Sequence, residues 1–186
     1  MRACSLAAAL AVTLIVTTPA GAVTHVFSYD SADPQTESMT ESGLTFVFDK
    51  GLLGVRLEKI IETHDIGEAD LKPADEHSVL GSAGLSPAIG AEAPERQLYE
   101  ITDQADGKAL KRALCHSARA WLAVGRLKSG LPLRVHAVAL DPATHQARLC
   151  MTLNYAYHGE WLLQPPPMAQ PDRTDRFNDT PNNLPY

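Results

Sequence analysis

The chain has 186 residues, of which 45% are hydrophobic, and its 16 Lys and Arg against 22 Asp and Glu give a formal net charge of −6. A chain of this length can bury a sizeable core within one domain. The acidic balance argues against nucleic acid and against an anionic membrane surface as partners, because both require clustered cations. It is compatible with a basic protein partner.

The first 22 residues have the organisation of a secretory signal peptide. Arg2 supplies a basic start, residues 6–16 form an apolar run, and Ala20 and Ala22 give an A-x-A-like cleavage pattern. The apolar run is shorter than the roughly 20 residues that a membrane-spanning helix needs. We therefore expect cleavage after Ala22, export to the periplasm or the extracellular medium, and no membrane association after cleavage.

Two segments that follow have the alternation of β-strands. Residues 23–31, VTHVFSYDS, alternate and carry β-branched and aromatic side chains. Residues 44–63 contain two alternating runs separated by Gly51 and Gly54, which predicts a β-hairpin.

The next segment, residues 67–95, loses this periodicity. Glycine, proline, alanine and acidic residues recur through it without a helical or strand pattern. Such a composition predicts a long, flexible, acidic loop, either a functional one or a disordered connection.

Helical periodicity returns at residues 104–115, QADGKALKRALC. Apolar residues recur there at helical spacing, and Asp103 is placed to act as the N-cap. Residues 116–124 fit either a continuation of this helix or a strand. The strand is the preferred interpretation because two further strands follow.

Those two strands are residues 133–141 and 147–157, which alternate strictly and are joined by a turn at 141–146. Together with 116–124 they predict a three-stranded antiparallel meander. The expected fold is therefore α+β and mainly antiparallel β, made of a hairpin plus this meander, with one helix.

The cysteines predict one disulfide. Signal-peptide cleavage would remove Cys4 and leave Cys115 and Cys150, which can form a single intramolecular pair in an oxidising compartment. A bridge between them would join the end of the helix to the last strand and stabilise the fold by roughly 3–4 kcal/mol. A catalytic thiol is less well supported, because the chain has no C-x-x-C pattern and His116, next to Cys115, would point elsewhere.

The C-terminal residues 164–186 are rich in proline, aspartate and asparagine. This composition predicts an extended, disordered tail. The expected organisation is thus a signal peptide at 1–22, a single β-rich domain at 23–163 that contains the 67–95 loop, and the tail.

One segment, residues 62–77, gathers histidines and carboxylates. His64, Asp65 and His77 are the candidate metal ligands, and His64 with Asp65 could also act as a base in a hydrolase. Their spacing matches no closed zinc pattern, and an acidic solvated loop explains the same residues. No cofactor is therefore expected.

A second candidate surface is aromatic. Tyrosine and tryptophan are favoured at recognition sites because they combine apolar area with a polar group. The candidate binding residues are Trp121, Tyr155, Tyr157, His158 and Trp161. The alternative is that these aromatic residues pack in or at the rim of the sheet.

Recognisable catalytic motifs are missing from the sequence, so no catalytic residue is nominated. We expect an exported, non-catalytic binding protein of the cell envelope, of the inhibitor, accessory or immunity type, with a basic envelope or secreted protein as partner. The alternative is a small metal-dependent or His/Asp hydrolase that uses the 62–77 segment.

Overall fold

The computed structural model describes residues 24–51, 54–62 and 67–163. The expected signal peptide and the expected C-terminal tail lie outside these ranges. Within them, antiparallel strands form a closed barrel in which each strand pairs with the next in the chain and the last pairs with the first. The strands are β1 (Thr24–Ser31), β2 (Gly43–Gly51), β3 (Gly54–Glu62), β4 (Glu68–Ala74), β5 (Gln97–Ile101), β6 (Trp121–Val124), β7 (Leu133–Leu140) and β8 (Ala147–Leu163).

The expectation of a hairpin plus a meander with one helix is wrong, because the sheet is a closed barrel of eight strands. The hairpin is present as β2 and β3, and the meander as β6, β7 and β8. Closure comes from β1, which pairs with the second half of β8, with Thr24 opposite Leu163. Hydrophobic alternation identifies residues that face a core, but it carries no information about which strand edges join. Closure leaves no unpaired edge in the sheet.

Residues 67–95 differ from the single long loop that was expected. They contain strand β4 and two short helices, α2 (Glu76–Leu80) and α3 (Ser86–Ile89). Leu80 and Leu85 from this segment pack on the outer wall of the barrel, in a cluster that also buries Trp121. These helices have only one or two turns, so no helical period can develop in the sequence.

The barrel interior is filled by side chains. A core of aliphatic and aromatic residues runs through it, with Phe27, Tyr29 and Phe46 packing edge to face. Burial, followed by the neighbouring Tyr157, raises the pKa of Tyr29 to about 12, so this phenol stays neutral. The apolar cavities near the helical end of the interior hold only about 20 Å³ each. Eight strands give an interior that side chains can fill or that can hold one small ligand, and here the side chains fill it.

Two helices cover one end of the barrel. Helix α1 (Pro34–Thr40) connects β1 and β2, and α4 (Gly107–Cys115) connects β5 and β6. Asp33 caps α1 by accepting from the backbone N–H of Thr36 at 2.8 Å, and the side-chain amide of Asn154 on β8 donates to the same carboxylate at 2.9 Å. Both hydrogen bonds lower the pKa of Asp33, and the one from Thr36 has the larger effect. The hydrogen bond from Asn154 also attaches the start of the helix to the barrel wall.

The predicted disulfide is confirmed: Cys115 is bonded to Cys150, with their Cα atoms 5.1 Å apart. By alternation, Cys150 shares one face of its strand with the polar residues Thr152 and Asn154, which conflicts with a buried bridge. The structure resolves this through a register shift between β7 and β8, where Ala137 lies opposite Met151 and Val138 opposite Leu149. Cys150 is the extra residue of this bulge and packs against the interior core beside α4. A disulfide fits a protein that resides outside the reducing cytoplasm.

The structure also decides between the two interpretations of residues 116–124. Helix α4 ends at Cys115, because His116 adopts the left-handed conformation of a helix C-terminus and its N–H donates to the carbonyl of Arg112. Strand β6 then begins at Trp121. No helix within the described ranges is long and apolar enough to cross a membrane.

Candidate binding groove

A groove of about 240 Å³ lies on the outer surface of the barrel where β1, β2 and β8 are adjacent. Alternation on β1 places Phe27 and Tyr29 in the core, so Ser28 and Asp30 face outward into this groove. Thr45 of β2 lies opposite Ser28, and their hydroxyl groups are 2.9 Å apart. The groove is therefore floored by small polar side chains.

The part of β8 that borders the groove contains a β-bulge at His158. Tyr29 lies opposite Tyr157 and Ser28 opposite Gly159, so His158 is the extra residue. His158 follows the inward-facing Tyr157 and points outward, where its Nδ1 lies 3.0 Å from Oδ2 of Asp30. The carboxylate fixes the orientation of the imidazole at one end of the groove. The extra residue reverses the alternation after it, so that Trp161 also faces outward.

Trp161 completes the groove by folding back over the strand. Its ring stacks on that of His158, with the centroids 5.9 Å apart and the planes at 26°. Gly159 makes this possible, because a Cβ at that position would lie 2.8 Å from Cη2 of Trp161. The residue remains 47% exposed. Gly159 thus leaves space on the outer surface of β8, and the indole of Trp161 occupies this space beside His158.

The predicted aromatic surface is only partly assembled. His158 and Trp161 meet in the groove, whereas Trp121 and Tyr155 are fully buried on opposite sides of the barrel wall. Tyr157 is half-buried and packs edge to face on Phe27. The bulge explains this split, because it reverses the alternation of β8 between Tyr157 and Gly159. Tyr155 and Tyr157 therefore face inward, and Trp161 faces outward.

The polar residues of the groove, Ser28 and Asp30, are not among the predicted binding residues. Ser28 and Asp30 are outward by the same pattern that predicts Phe27 and Tyr29 to be inward, so their exposure could be read from the sequence. Their meeting with His158 depends on the pairing of β1 with β8, and no local signal encodes it.

Of the three candidate metal ligands in the 62–77 segment, the structure describes only His77. His64 and Asp65 lie outside the described residues, and His77 is exposed on α2. Over the described part of the chain, no three His, Cys, Asp or Glu side chains are grouped closely enough to hold a metal ion.

The pair of Asp30 and His158 resembles the orienting half of a catalytic triad, in which a carboxylate positions a general base. A nucleophile bonded to the imidazole would be needed to complete it. The hydroxyl of Ser28, in the same groove, bonds to Thr45 and not to His158. The groove presents a half-exposed indole, an imidazole paired with a carboxylate, and hydroxyl groups, which are side chains suited to recognition. Comparisons of the chain with protein-family models, curated proteins and solved structures found no match.

Proposed function

We propose that this chain is an exported, non-catalytic binding protein that recognises a basic protein partner through the groove of β1, β2 and β8. The observation that carries the proposal is the half-exposed Trp161, held in a fixed orientation by stacking on His158. Tryptophan is the residue most enriched among the side chains that dominate binding energy at protein interfaces. A pre-positioned ring loses little conformational freedom when a partner binds.

The charge of the groove supports a cationic partner. Asp30 is the acidic residue that lines it, and no lysine or arginine is among its lining residues. The whole chain carries a net charge of −6, which would favour the approach of a positively charged protein. A lysine or arginine side chain placed over the exposed part of Trp161 would gain a cation–π interaction while its charge faces Asp30.

The location proposed for this binding is the periplasm or the extracellular medium. The N-terminal sequence supports it through its basic start, apolar run and small-residue cleavage pattern. The Cys115–Cys150 disulfide supports it independently, because such bridges persist in oxidising compartments.

The experiment is a pull-down from cell-envelope extract with three immobilised baits: the wild-type protein, Trp161→Ala and Leu131→Ala. Leu131 is a matched control because it is 49% exposed and does not line the groove. We expect a basic protein to be retained by wild type and by Leu131→Ala, and to be retained at least about tenfold less by Trp161→Ala, the effect of losing roughly 1.4 kcal/mol.

A fourth bait, Asp30→Asn, tests the electrostatic part of the proposal. It preserves the size of the side chain and removes its charge, so retention should fall most at low ionic strength. Equal retention by wild type and Trp161→Ala, or retention of no basic protein by any bait, would refute the proposed function. Thermal melts of all four baits establish that each is folded.

A further inference from the structure

A second cleft, of about 370 Å³, lies beside helix α4 and has the reverse charge. It is formed by α4 and the segment that follows it. Its cationic side chains are those of Lys108, Lys111 and Arg112, and the side chain of His116 also lines it. Asp103 is the acidic residue in the lining. Three cations against one carboxylate form a local positive site in a chain whose net charge is −6.

Lys111 is the buried cation of this cleft. Its side chain is only 6% exposed, and its ammonium group pairs with Asp103, which is 63% exposed at the surface. The hydrogen bond from Lys111 is the largest of the effects that lower the pKa of Asp103, which keeps this carboxylate negatively charged near neutral pH. A buried ammonium is costly without such a partner, and it remains available to a second anion that approaches through the cleft.

The other two cations are less closely paired, and Lys108 attracts Asp103 only from beyond ion-pair distance. Among the described residues, neither Lys108 nor Arg112 has a carboxylate within ion-pair distance, and both side chains are exposed. They lie four positions apart on α4, so they project from the same side of the helix. A guanidinium group beside an ammonium group is the combination that binds phosphate oxygens in proteins, because arginine offers a planar fork and lysine a point charge.

The backbone of the cleft is held in place. The Cys115–Cys150 bridge attaches the end of α4 to β8, and the guanidinium of Arg148 donates to the carbonyl of Cys115 at 2.9 Å. His116 terminates the helix with a hydrogen bond to Arg112. Because these contacts fix the helix end, the backbone that carries the cations is in place before a ligand arrives, which lowers the entropic cost of binding.

From this geometry we infer that the α4 cleft is a binding site for a small phosphorylated molecule. A phosphate monoester carries about −1.5 to −2 charges at pH 7, which matches the excess of two positive charges from the lysine and arginine side chains over Asp103. The volume of the cleft exceeds that of a phosphate group and falls within the range of small-molecule sites, so it leaves room for the rest of the ligand. This inference is independent of the groove that contains Trp161.

The test is a calorimetric titration of the full folded protein at constant ionic strength with three probes: phenyl phosphate, inorganic phosphate and benzoate. We expect phenyl phosphate to bind with a Kd in roughly the millimolar range or tighter. Inorganic phosphate should bind more weakly because it leaves most of the cleft empty. Benzoate should bind least because it carries a single charge.

The double variant Lys108→Gln/Arg112→Gln keeps a polar, flexible side chain at both positions and removes both charges. Both residues are exposed, so the variant should fold, and a thermal melt checks this. Binding of phenyl phosphate should weaken at least about tenfold, whereas Lys128→Gln, which removes an exposed lysine outside the cleft, should leave it unchanged.

NMR spectra give a second readout. The ring resonances of His116 should shift on titration with phenyl phosphate, and those of His145, which is exposed and does not line the cleft, should not. Absence of phosphate binding, binding that the double variant retains in full, or benzoate binding as tightly as phenyl phosphate would overturn the assignment.

Discussion

The carboxylate of Glu95 lies 3.5 Å from Nε2 of His136, and both side chains are almost completely buried. Nδ1 of the same imidazole is 2.9 Å from the hydroxyl of Thr152 on the neighbouring strand. Arg134, two residues earlier on β7, places its guanidinium 4.0 Å from the other oxygen of Glu95. Burial lowers the pKa of His136 below its ordinary value of 6.5, and the attraction of Glu95 offsets only part of this effect.

This depressed pKa predicts a loss of stability in mild acid. The unfolded chain binds a proton on this imidazole below pH 6.5, whereas the folded protein does so only at lower pH. The contribution is therefore fully present above pH 6.5 and is lost as the pH falls toward the folded-state pKa. The melting temperature of wild type should fall between about pH 7 and pH 5, and that of His136→Gln should fall less. His77→Gln, at an exposed histidine, is the control; identical pH profiles for wild type and His136→Gln would contradict the prediction.

Removal of the disulfide should destabilise the fold without abolishing it. Cys115 and Cys150 are 35 residues apart in the chain, and closing a loop of that size contributes about 3–4 kcal/mol to the free energy of unfolding. The double variant Cys115→Ser/Cys150→Ser should lose this amount in chemical denaturation. Wild type treated with reductant should show the same loss. Two thiols that react with an alkylating agent in the untreated protein would disprove the bridge.

The helices of the 75–96 connection should be needed to shield Trp121. Leu85 and Trp121 are both fully buried in the outer cluster, so Leu85→Ala should lower the free energy of unfolding by about 2–5 kcal/mol. In a Trp161→Phe background, the fluorescence emission of Trp121 should shift to longer wavelength. Acrylamide should also quench this fluorescence more strongly. Leu131→Ala, at an exposed leucine, should change stability by no more than about 0.5 kcal/mol. An unchanged emission spectrum in the Leu85→Ala variant would count against this packing.

Substitution of Gly107 by alanine should destabilise the protein, although helix propensity alone predicts the opposite. In a helix, alanine is normally favoured over glycine by up to about 1 kcal/mol. Here a Cβ at residue 107 would lie 2.1 Å from the backbone oxygen of Thr102. Gly107→Ala should therefore destabilise the protein by about 1–3 kcal/mol. Gly125→Ala is the matched control, since its Cβ would approach only the side chain of Glu95, at 4.0 Å. A Gly107→Ala variant as stable as wild type would show that the first turn of α4 can shift.

Much of the fold could be predicted from local patterns, and the reasons are physical. Strands β1, β2, β3, β7 and β8 are long enough to show alternation in the sequence, and α4 is long enough to show a helical period. The shorter elements carry only capping signals, such as Asp33 followed by Pro34 at the start of α1. The barrel depends on the pairing of β1 with β8, which is a contact between the two ends of the described chain.

The candidate site was harder to predict than the fold. The sequence places Tyr155, Tyr157 and Trp161 on one face of a regular strand, but the bulge at His158 puts Trp161 on the other. A bulge adds one residue without a distinctive composition. Gly159 is the local sequence feature that indicates the bulge, because glycine inside a strand often marks a bulge or a close approach.

The pairing of Thr24 with Leu163 has a consequence for how the barrel could be connected. All other neighbouring strands are already joined in chain order, so the two ends of the described chain meet where one more hairpin would complete a ring. A circular permutant that joins residue 163 to residue 24 through a short linker of about two to five residues, and that opens between Ser129 and Gly130, would keep every strand pair. The order in which the strands are synthesised would change while the sheet stayed the same, so such a permutant could separate the contribution of chain order from that of the closed sheet to the rate of folding.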